Sequence, residues 1–208
     1  MVSMTEVTGT SEPFELSGGA LCLDFANTWG DRARPDSDRL RSYDDLLAFA
    51  AQAGALGARE AVALRRQARL DPAAATAALA AARRLRDAIY GVVAAVARGR
   101  RVANGDVDAL NAALAEALPH LRLEAQGEGF RWDWRDGSAS LLQPLRPLAR
   151  SAAELLTGDE LARTRECDGV TCTWLFLDQS RNRSRRWCSM ESCGNRAKAR
   201  RHYHRRKG

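Results

Sequence analysis

Apolar residues recur at helical spacing along residues 58–70 and 72–99. In the second stretch Leu85, Ile89 and Val93 are four residues apart, which places them on one face of a helix. Both stretches are also rich in Ala and Leu, which favour helical structure. The pattern therefore predicts two long helices that contribute to a core.

Three shorter helices are predicted mainly from their ends. Ser42 and Asp45 form the pattern of a capping box in front of a helix over residues 46–53. Asp106 is expected to cap a further helix, because its side chain can accept a hydrogen bond from the backbone at a helix start. A last helix is expected over residues 147–156.

A period of two replaces the helical spacing on both sides of a glycine-containing turn at residues 126–129. The flanking residues alternate between apolar and polar side chains, which predicts a β-hairpin. Phe130, Trp132 and Trp134 fall on one face of its second strand. Because aromatic side chains are usually buried, we expect this face to point into the core.

Residues 14–29 are also predicted to form two short strands, which meet at Gly18 and Gly19. Leu21, Leu23 and Phe25 alternate in the second of them. Cys22 lies in the same apolar surroundings, and we interpret it as a small buried hydrophobic residue.

Polar residues follow this second predicted strand, and two interpretations of them remain open. Asp24, Asn27 and Thr28 could line a ligand pocket, or they could close turns of their own chain. The sequence contains no phosphate-binding glycine loop, no nucleophile elbow and no helical His-Glu metal pattern. We therefore expect no enzymatic activity, and an enzyme with a pocket at these three residues is the least favoured of the possible functions.

The composition is that of a globular protein. The chain has 208 residues, of which 45% are hydrophobic, and this excludes a fully disordered chain. No run of 18 apolar residues is present, so no segment is expected to span a membrane. Residues 1–13 have neither the basic nor the apolar region of a secretory signal. We expect a cytoplasmic protein.

The positive charge is concentrated at the C-terminal end. The formal net charge is +6, yet residues 161–208 carry 13 basic and only four acidic residues, so the preceding part is net acidic. A few arginines could offset the charge of a metal centre, but this excess is larger than that role needs. The charge therefore predicts a polyanionic partner for this region.

Four of the five cysteines lie in the same C-terminal region. Their spacing is Cys167-x4-Cys172, fifteen intervening residues, then Cys188-x4-Cys193. Two close pairs of thiolates supply the four ligands of a closed, tetrahedral, structural zinc site. Replacement of one cysteine by His202 or His204, and a redox-active dithiol pair, are less favoured alternatives.

The elements between the cysteine pairs predict the fold of this module. Residues 174–178 and 185–187 are strand candidates joined by a polar loop, and a helix is expected to begin near Asn195, directly after the last cysteine. A knuckle, a hairpin and a helix-borne ligand follow one another in the order of a treble-clef-like zinc finger.

Two domains are therefore predicted. Residues 1–158 are expected to form a mostly helical α+β domain with short β-hairpins, which folds on its own and senses a ligand or mediates association. Residues 159–208 are expected to form the small C-terminal treble-clef-like zinc finger. The core of the first domain is expected to include Leu23, Phe25, Leu85, Ile89, Val93 and Trp132.

Two segments resemble known families. The run from Trp174 to Arg196, which reads WLFLDQSRNRSRRWCSMESCGNR, closely resembles the CGNR-type zinc finger, named for the residues matched by Cys193 to Arg196. Residues 21–28, LCLDFANT, resemble the opening of the ABATE domain, which precedes this finger in bacterial proteins described as stress-induced transcription regulators. The resemblance implies a bacterial DNA-binding regulator, which is expected at the nucleoid when it is bound to DNA.

The expected partner of the tail is duplex DNA, contacted by the loop before the second cysteine pair and by the C-terminal helix. The candidate nucleic-acid-binding residues are Arg181, Arg183, Arg185, Arg186, Arg196, Lys198, Arg200, Arg201 and Arg205. A zinc-stabilised RNA-binding or ribosome-associated protein is the alternative, since arginine-rich fingers also suit folded RNA.

Overall fold

The computed structural model describes residues 12–134 and 140–207. Within these residues the chain forms seven α-helices and four short β-strands. The helices are α1 (Leu21–Ala26), α2 (Tyr43–Gln52), α3 (Ala58–Leu70), α4 (Pro72–Ala97), α5 (Asn104–Ala117), α6 (Leu145–Thr157) and α7 (Asn195–Lys207). The strands are β1 (Leu121–Gln126), β2 (Gly129–Trp134), β3 (Thr164–Glu166) and β4 (Leu175–Leu177).

The two long helices are those that the apolar spacing predicts. Asp71 caps α4 by accepting a hydrogen bond of 2.9 Å from the backbone N–H of Ala74, and Pro72 occupies the first turn, where no partner for an N–H is needed. Leu85, Ile89 and Val93 are buried on one face of α4. This helix forms the centre of the core, packed against the other helices of the N-terminal part.

The shorter helices form where the sequence predicts them, but one predicted helix cap is wrong. The hydroxyl of Ser42 accepts a hydrogen bond from the backbone N–H of Asp45, whose carboxylate accepts one in return from the N–H of Ser42, so the capping box is confirmed. Asp106 does not cap α5 but lies in its first turn. A side chain at Gly91 would collide with the Asp106 carboxylate, so this glycine permits the close approach of α4 and α5.

Both strands predicted within residues 14–29 are wrong, because residues 14–16 form no regular element and residues 21–26 form α1. Its buried residues are Cys22, Leu23, Phe25 and Ala26, a spacing that belongs to a helix and not to a strand. The segment has only six residues, so alternation at Leu21, Leu23 and Phe25 could not distinguish a period of 2 from a period of 3.6.

The β-hairpin is confirmed, but its predicted burial is wrong. Strands β1 and β2 pair antiparallel with Leu123 opposite Trp132. Phe130 is 77% exposed and Trp132 is 49% exposed, so Trp132 does not belong to the core. Among the described residues, the sheet has two strands and no second layer over its outer end, and Trp134 at its base packs against the helical core.

The strand pairing next to the cysteines also differs from the prediction. Strand β4 forms as expected, but it pairs antiparallel with β3, and residues 185–187 are not a strand. Their backbone is held by other partners, since the N–H of Arg185 donates to the Asp178 carboxylate and the carbonyl of Arg186 accepts from Asp168. Strand β3 reads Thr-Arg-Glu, and three polar residues carry no detectable alternation.

The zinc-finger region shares its core with the N-terminal helices. Leu175 and Leu177 of β4 are buried in the same apolar cluster as α1 and α4. The backbone N–H of Leu177 donates to the carbonyl of Gly18 at 2.8 Å, and that of Thr173 donates to Gly30 at 3.1 Å. The fold class is therefore confirmed as mostly helical α+β with a C-terminal finger, and the two parts are packed together.

Among the described residues, no helix is both long and apolar enough to cross a bilayer.

Candidate metal centre and basic surface

Four cysteine thiols converge on one point. The sulfurs of Cys167, Cys172, Cys188 and Cys193 all lie within 4.8 Å of one another. The Cys172–Cys188 and Cys188–Cys193 sulfur distances are each 3.7 Å. Four thiolates around zinc, each about 2.3 Å from the ion in a tetrahedron, have sulfurs about 3.8 Å apart. The observed distances fit this geometry.

The first cysteine pair is shaped by a tight turn. The N–H of Cys172 donates to the carbonyl of Gly169 at 3.1 Å, while the N–H of Gly169 points to the Cys167 sulfur at 3.4 Å. A Cβ at Gly169 would lie 2.9 Å from the Cβ of Cys172 and 3.1 Å from the Cys193 sulfur. Glycine is therefore the residue that fits beside these ligands.

The second pair is positioned by the start of the last helix. The hydroxyl of Ser189 accepts from the N–H of Ser192, which begins a short π-helical turn over Met190–Gly194. This turn carries Cys193 and leads directly into α7. The zinc ligand therefore fixes the start of the basic helix, since Cys193 is buried and cannot move independently of the cluster.

Mutual hydrogen bonds and burial shift the pKa values of the thiols in opposite directions, since the pKa of Cys167 is lowered and those of Cys172 and Cys188 are raised. Hydrogen bonds from Cys172 and Cys188 lower the pKa of Cys167, since they stabilise its thiolate. The guanidinium of Arg196 donates to the Cys193 sulfur at 3.0 Å, and this hydrogen bond raises the pKa of Arg196. Thiolates are the form that binds zinc. Together with the geometry, this identifies a site for one structural zinc ion held by four cysteines.

Of the two alternative ligands, His202 is exposed on α7 and does not join this cluster. The side chain of His204 lies outside the described residues. All five cysteines are free thiols, and Cys22 is fully buried in the helical core, as expected for a small hydrophobic residue.

Three of the nine candidate nucleic-acid contacts are engaged within the finger. Arg185 donates to the carbonyls of Trp187, Cys188 and Ser17, and its guanidinium lies 4.5 Å from the centre of the Phe176 ring. Arg186 pairs with Asp168 at 2.7 Å, and Arg196 binds a zinc ligand. These residues are placed to stabilise the finger.

The other six candidates are exposed and have no ion-pair partner in the described part of the chain. These residues, called the basic surface below, are Arg181, Arg183, Lys198, Arg200, Arg201 and Arg205. The first two lie on the loop before Cys188, and the other four lie on α7. A surface of unpaired cations is suited to contact phosphates.

Asp178 shapes the loop of the basic surface, a role that the sequence analysis missed. Its buried carboxylate accepts hydrogen bonds from the N–H and hydroxyl of Ser180 and from the N–H of Arg185. Arg183 at the tip adopts a left-handed conformation with φ of 49°. An Asp two residues before a Ser is a turn signal that could have indicated this arrangement.

Two grooves flank the first cysteine turn, and Val170 lies at its tip with 77% of its surface exposed. One groove is lined by Arg196 and Arg200, and the other by Arg186, Arg200 and Arg201. The tip of the zinc-binding turn is thus an exposed apolar side chain among arginines.

The residues of the possible ligand pocket bond within the chain. Asp24 accepts from the N–H of Gly18 at 2.7 Å, and the hydroxyl of Thr28 donates to the carbonyl of Phe25 at 2.7 Å. The side-chain amide of Asn27 donates to the carbonyl of Leu175 and accepts from its N–H, both at 2.8 Å. The contacts of Asp24 and Thr28 match the turn-closing interpretation, whereas Asn27 bonds to a distant strand, and ligand binding here stays a prediction.

The sequence matches two protein families. Residues 19–159 match the family ABATE, described as "Putative stress-induced transcription regulator". Residues 163–206 match the CGNR zinc finger. No curated protein matches the chain at a significant level.

Proposed function

Because the chain belongs to the ABATE family, whose description suggests a transcription regulator, and carries a CGNR zinc finger, we propose that it regulates transcription by binding duplex DNA through its basic surface. In this proposal the zinc ion holds the two elements of the basic surface in place. It fixes Cys193 at the start of α7 and Cys188 at the end of the arginine-bearing loop, so both elements can contact the same duplex.

The observation that carries the proposal is the division of the basic residues into engaged and unpaired groups. Four thiolates and one Zn²⁺ leave a local charge of −2, which nearby cations can offset. Arg196 contacts a ligand sulfur, and Arg185 bonds to the carbonyl of Cys188. These two arginines are therefore available to offset the charge of the zinc cluster. The six unpaired residues of the basic surface are not needed for that role, and we explain them by contacts with a phosphate backbone.

The shape of α7 favours duplex DNA over duplex RNA. Its 13 residues form a helix whose described side chains from Lys198 onward are all exposed. An α-helix about 10–12 Å across fits the major groove of B-DNA, which is about 12 Å wide. The major groove of A-form RNA is too deep and narrow for such a helix. Binding to RNA remains the alternative function.

The test is a salt titration of DNA binding by the full-length, zinc-loaded chain. If about five phosphates are neutralised, the logarithm of affinity should fall with the logarithm of salt concentration at a slope of about −4 to −5. The double variant Arg200→Glu, Arg201→Glu should bind every DNA sequence at least about 10-fold more weakly and reduce the slope by about 2.

The matched control is the double variant Arg66→Glu, Arg69→Glu. It makes the same change in net charge at two exposed arginines of α3, outside the finger, and should retain the wild-type affinity. Equal losses in both variants would indicate a net-charge effect and contradict the proposed surface. Structured RNA that competes better than duplex DNA would favour the alternative function.

The proposal assigns no catalytic step to the chain and locates it in the cytoplasm, at the nucleoid when DNA is bound. The N-terminal part either senses a ligand or mediates association. Sensing through Asp24, Asn27 and Thr28 stays a prediction, since hydrogen bonds within the chain already hold these residues.

A further inference from the structure

The hairpin of β1 and β2 has an apolar face that is exposed in the part of the chain that the structure describes. In the observed register Leu121, Leu123 and Ala125 lie opposite Trp134, Trp132 and Phe130, so all six side chains share one face. Leu123 is 60% exposed, Phe130 is 77% exposed and Trp132 is 49% exposed. Three adjacent large apolar side chains in contact with water are uncommon on a monomeric protein and mark interaction surfaces.

The opposite face of the hairpin is charged and internally paired. Arg122 bonds to Asp133 at 2.8 Å, and Arg131 lies between Glu124 and Asp133. The side chains of this face form ion pairs and are compatible with water, whereas the opposite face exposes apolar side chains to water. A two-stranded hairpin is also marginally stable by itself and presents open edges for strand pairing.

The charges along β2 are arranged to match a second copy of the same strand. The sequence Arg131-Trp132-Asp133 places opposite charges on either side of a central tryptophan. If two β2 strands pair antiparallel about Trp132, Arg131 of each copy lies opposite Asp133 of the other. Opposite charges in such cross-strand positions stabilise a sheet, and like charges destabilise it.

We propose that two copies of this chain associate through β2 and form a four-stranded antiparallel sheet with twofold symmetry. The register about Trp132 places the exposed Phe130 of one copy opposite Trp134 of the other. Trp134 is half-buried at the base of the hairpin, and Arg150 of α6 lies 5.0 Å from the Trp132 ring. The exposed end of each hairpin is thus brought to the base of the other hairpin, beside α6 of the second copy.

Pairing through β2 is preferred over pairing through β1 because of the aromatic residues. The sequence Arg122-Leu123-Glu124 of β1 is self-complementary in the same way, but β2 carries Phe130, Trp132 and Trp134. Their pairing across the twofold axis would bring six aromatic rings together, and aromatic cross-strand pairs add favourable contacts beyond simple burial.

The first experiment measures the oligomeric state of the full-length chain by sedimentation equilibrium over a range of concentrations, without nucleic acid. The wild type should be a dimer. Phe130→Ser should raise the dissociation constant about 100-fold, because two buried rings are lost from each dimer. Val62→Ser, the control, truncates a side chain on α3 that is 65% exposed, and it should leave the dimer intact.

The second experiment tests the register with complementary charge variants. Arg131→Asp presents carboxylates at both positions, and Asp133→Arg presents guanidinium groups at both, so each variant alone should dimerise at least about 10-fold more weakly. An equimolar mixture should recover a heterodimer. Each substitution also removes ion pairs within its own hairpin. Mixing the two variants does not restore those ion pairs, so recovered association can come only from contact between the two copies.

Three results would overturn the proposal. The wild type could be monomeric at the highest concentration, the Phe130→Ser variant could dimerise like the wild type, or the mixture of charge variants could fail to associate. None of these measurements involves DNA binding, so the outcome is independent of the proposed regulatory function.

Discussion

At the scale of single residues, Asp24 is a carboxylate placed where its charge is unfavourable. Burial raises its pKa to about 6, and the hydrogen bond from the N–H of Gly18 offsets only part of this effect. A side chain at Gly18 would lie 2.9 Å from the Cβ of Leu23, so this glycine permits the close approach that the hydrogen bond needs. Asp24 therefore closes the turn that leads into α1.

Replacing Asp24 by Asn should stabilise the chain near pH 8 by about 1–2 kcal/mol, because the amide keeps the acceptor oxygen without the buried charge. The folded-state pKa is raised, so the contribution of Asp24 is fully favourable below its unfolded pKa near 3.8 and is lost as pH rises through about 6. The difference between variant and wild type should therefore be largest at pH 8 and small near pH 4, where the carboxyl is mostly protonated in the folded chain. Urea unfolding at the two pH values measures it.

The opposite result for Asp24→Asn would have a clear meaning. A variant less stable than the wild type at pH 8 would show that the negative charge has a favourable partner. That outcome would show that the hydrogen bond from Gly18 to the carboxylate outweighs the cost of burying the charge.

At the scale of elements, Asn27 joins the end of α1 to β4. Its side-chain amide pairs with both backbone groups of Leu175, in the manner of a strand neighbour, and the residue is buried. Strand β3 covers the other edge of β4. A single side chain thus completes the hydrogen bonding of a buried edge, which would otherwise present unpaired N–H and C=O groups.

Asn27→Ala should lower the free energy of unfolding by about 3 kcal/mol, because it leaves two buried backbone groups without partners. The control Asn104→Ala makes the same change at an exposed position of α5 and should stay within about 0.5 kcal/mol of the wild type. Chemical unfolding measures both. If the two variants lose equally little stability, water can reach Leu175, and the proposed closure of this edge is incorrect.

At the scale of the whole molecule, one core includes residues from both family segments. Leu175 and Leu177 belong to the zinc-finger family match but are buried with α1 and α4 of the ABATE match. Arg98 at the end of α4 also pairs with Glu166 of β3. The charge and the cysteine content change near residue 158, but residues on both sides of this position are buried in the same core.

Removal of zinc should destabilise the N-terminal helices as well as the finger. Zinc coordination supplies folding energy to its module, so its loss should release β4 from the core and lower Tm by about 10 °C or more. Hydrogen exchange of α1 and α4 amides, before and after chelation, measures the effect, and added zinc should reverse it. Cys193→Ser should behave like the chelated protein and respond little to chelator.

Unchanged exchange rates in α1 and α4 after chelation would contradict this coupling. In that case residues 1–158 would fold independently, as the sequence analysis predicts, and the buried position of Leu175 would contribute little to their stability.

The sequence by itself determined the features that depend on neighbouring residues. The capping box of Ser42, the extents of α3 and α4, and the four zinc ligands are each encoded within a few turns of chain or by a fixed spacing. Helix ends are satisfied by adjacent side chains, and a closed tetrahedral site needs only two tight turns that bring paired thiolates together. Such local requirements can be identified from the sequence.

Tertiary structure alone decided the features that depend on distant partners. The sequence of residues 21–26 is compatible with a strand or a helix, and packing against α4 and α6 stabilises the helix. The exposure of Trp132 and the pairing of β4 with β3 depend on which layers exist nearby. The same holds for the arginines. Arg185 and Arg200 both lie in the basic C-terminal region, and the sequence does not distinguish their roles. Contacts across the fold bind Arg185 to the carbonyl of Ser17 and leave Arg200 exposed for a partner.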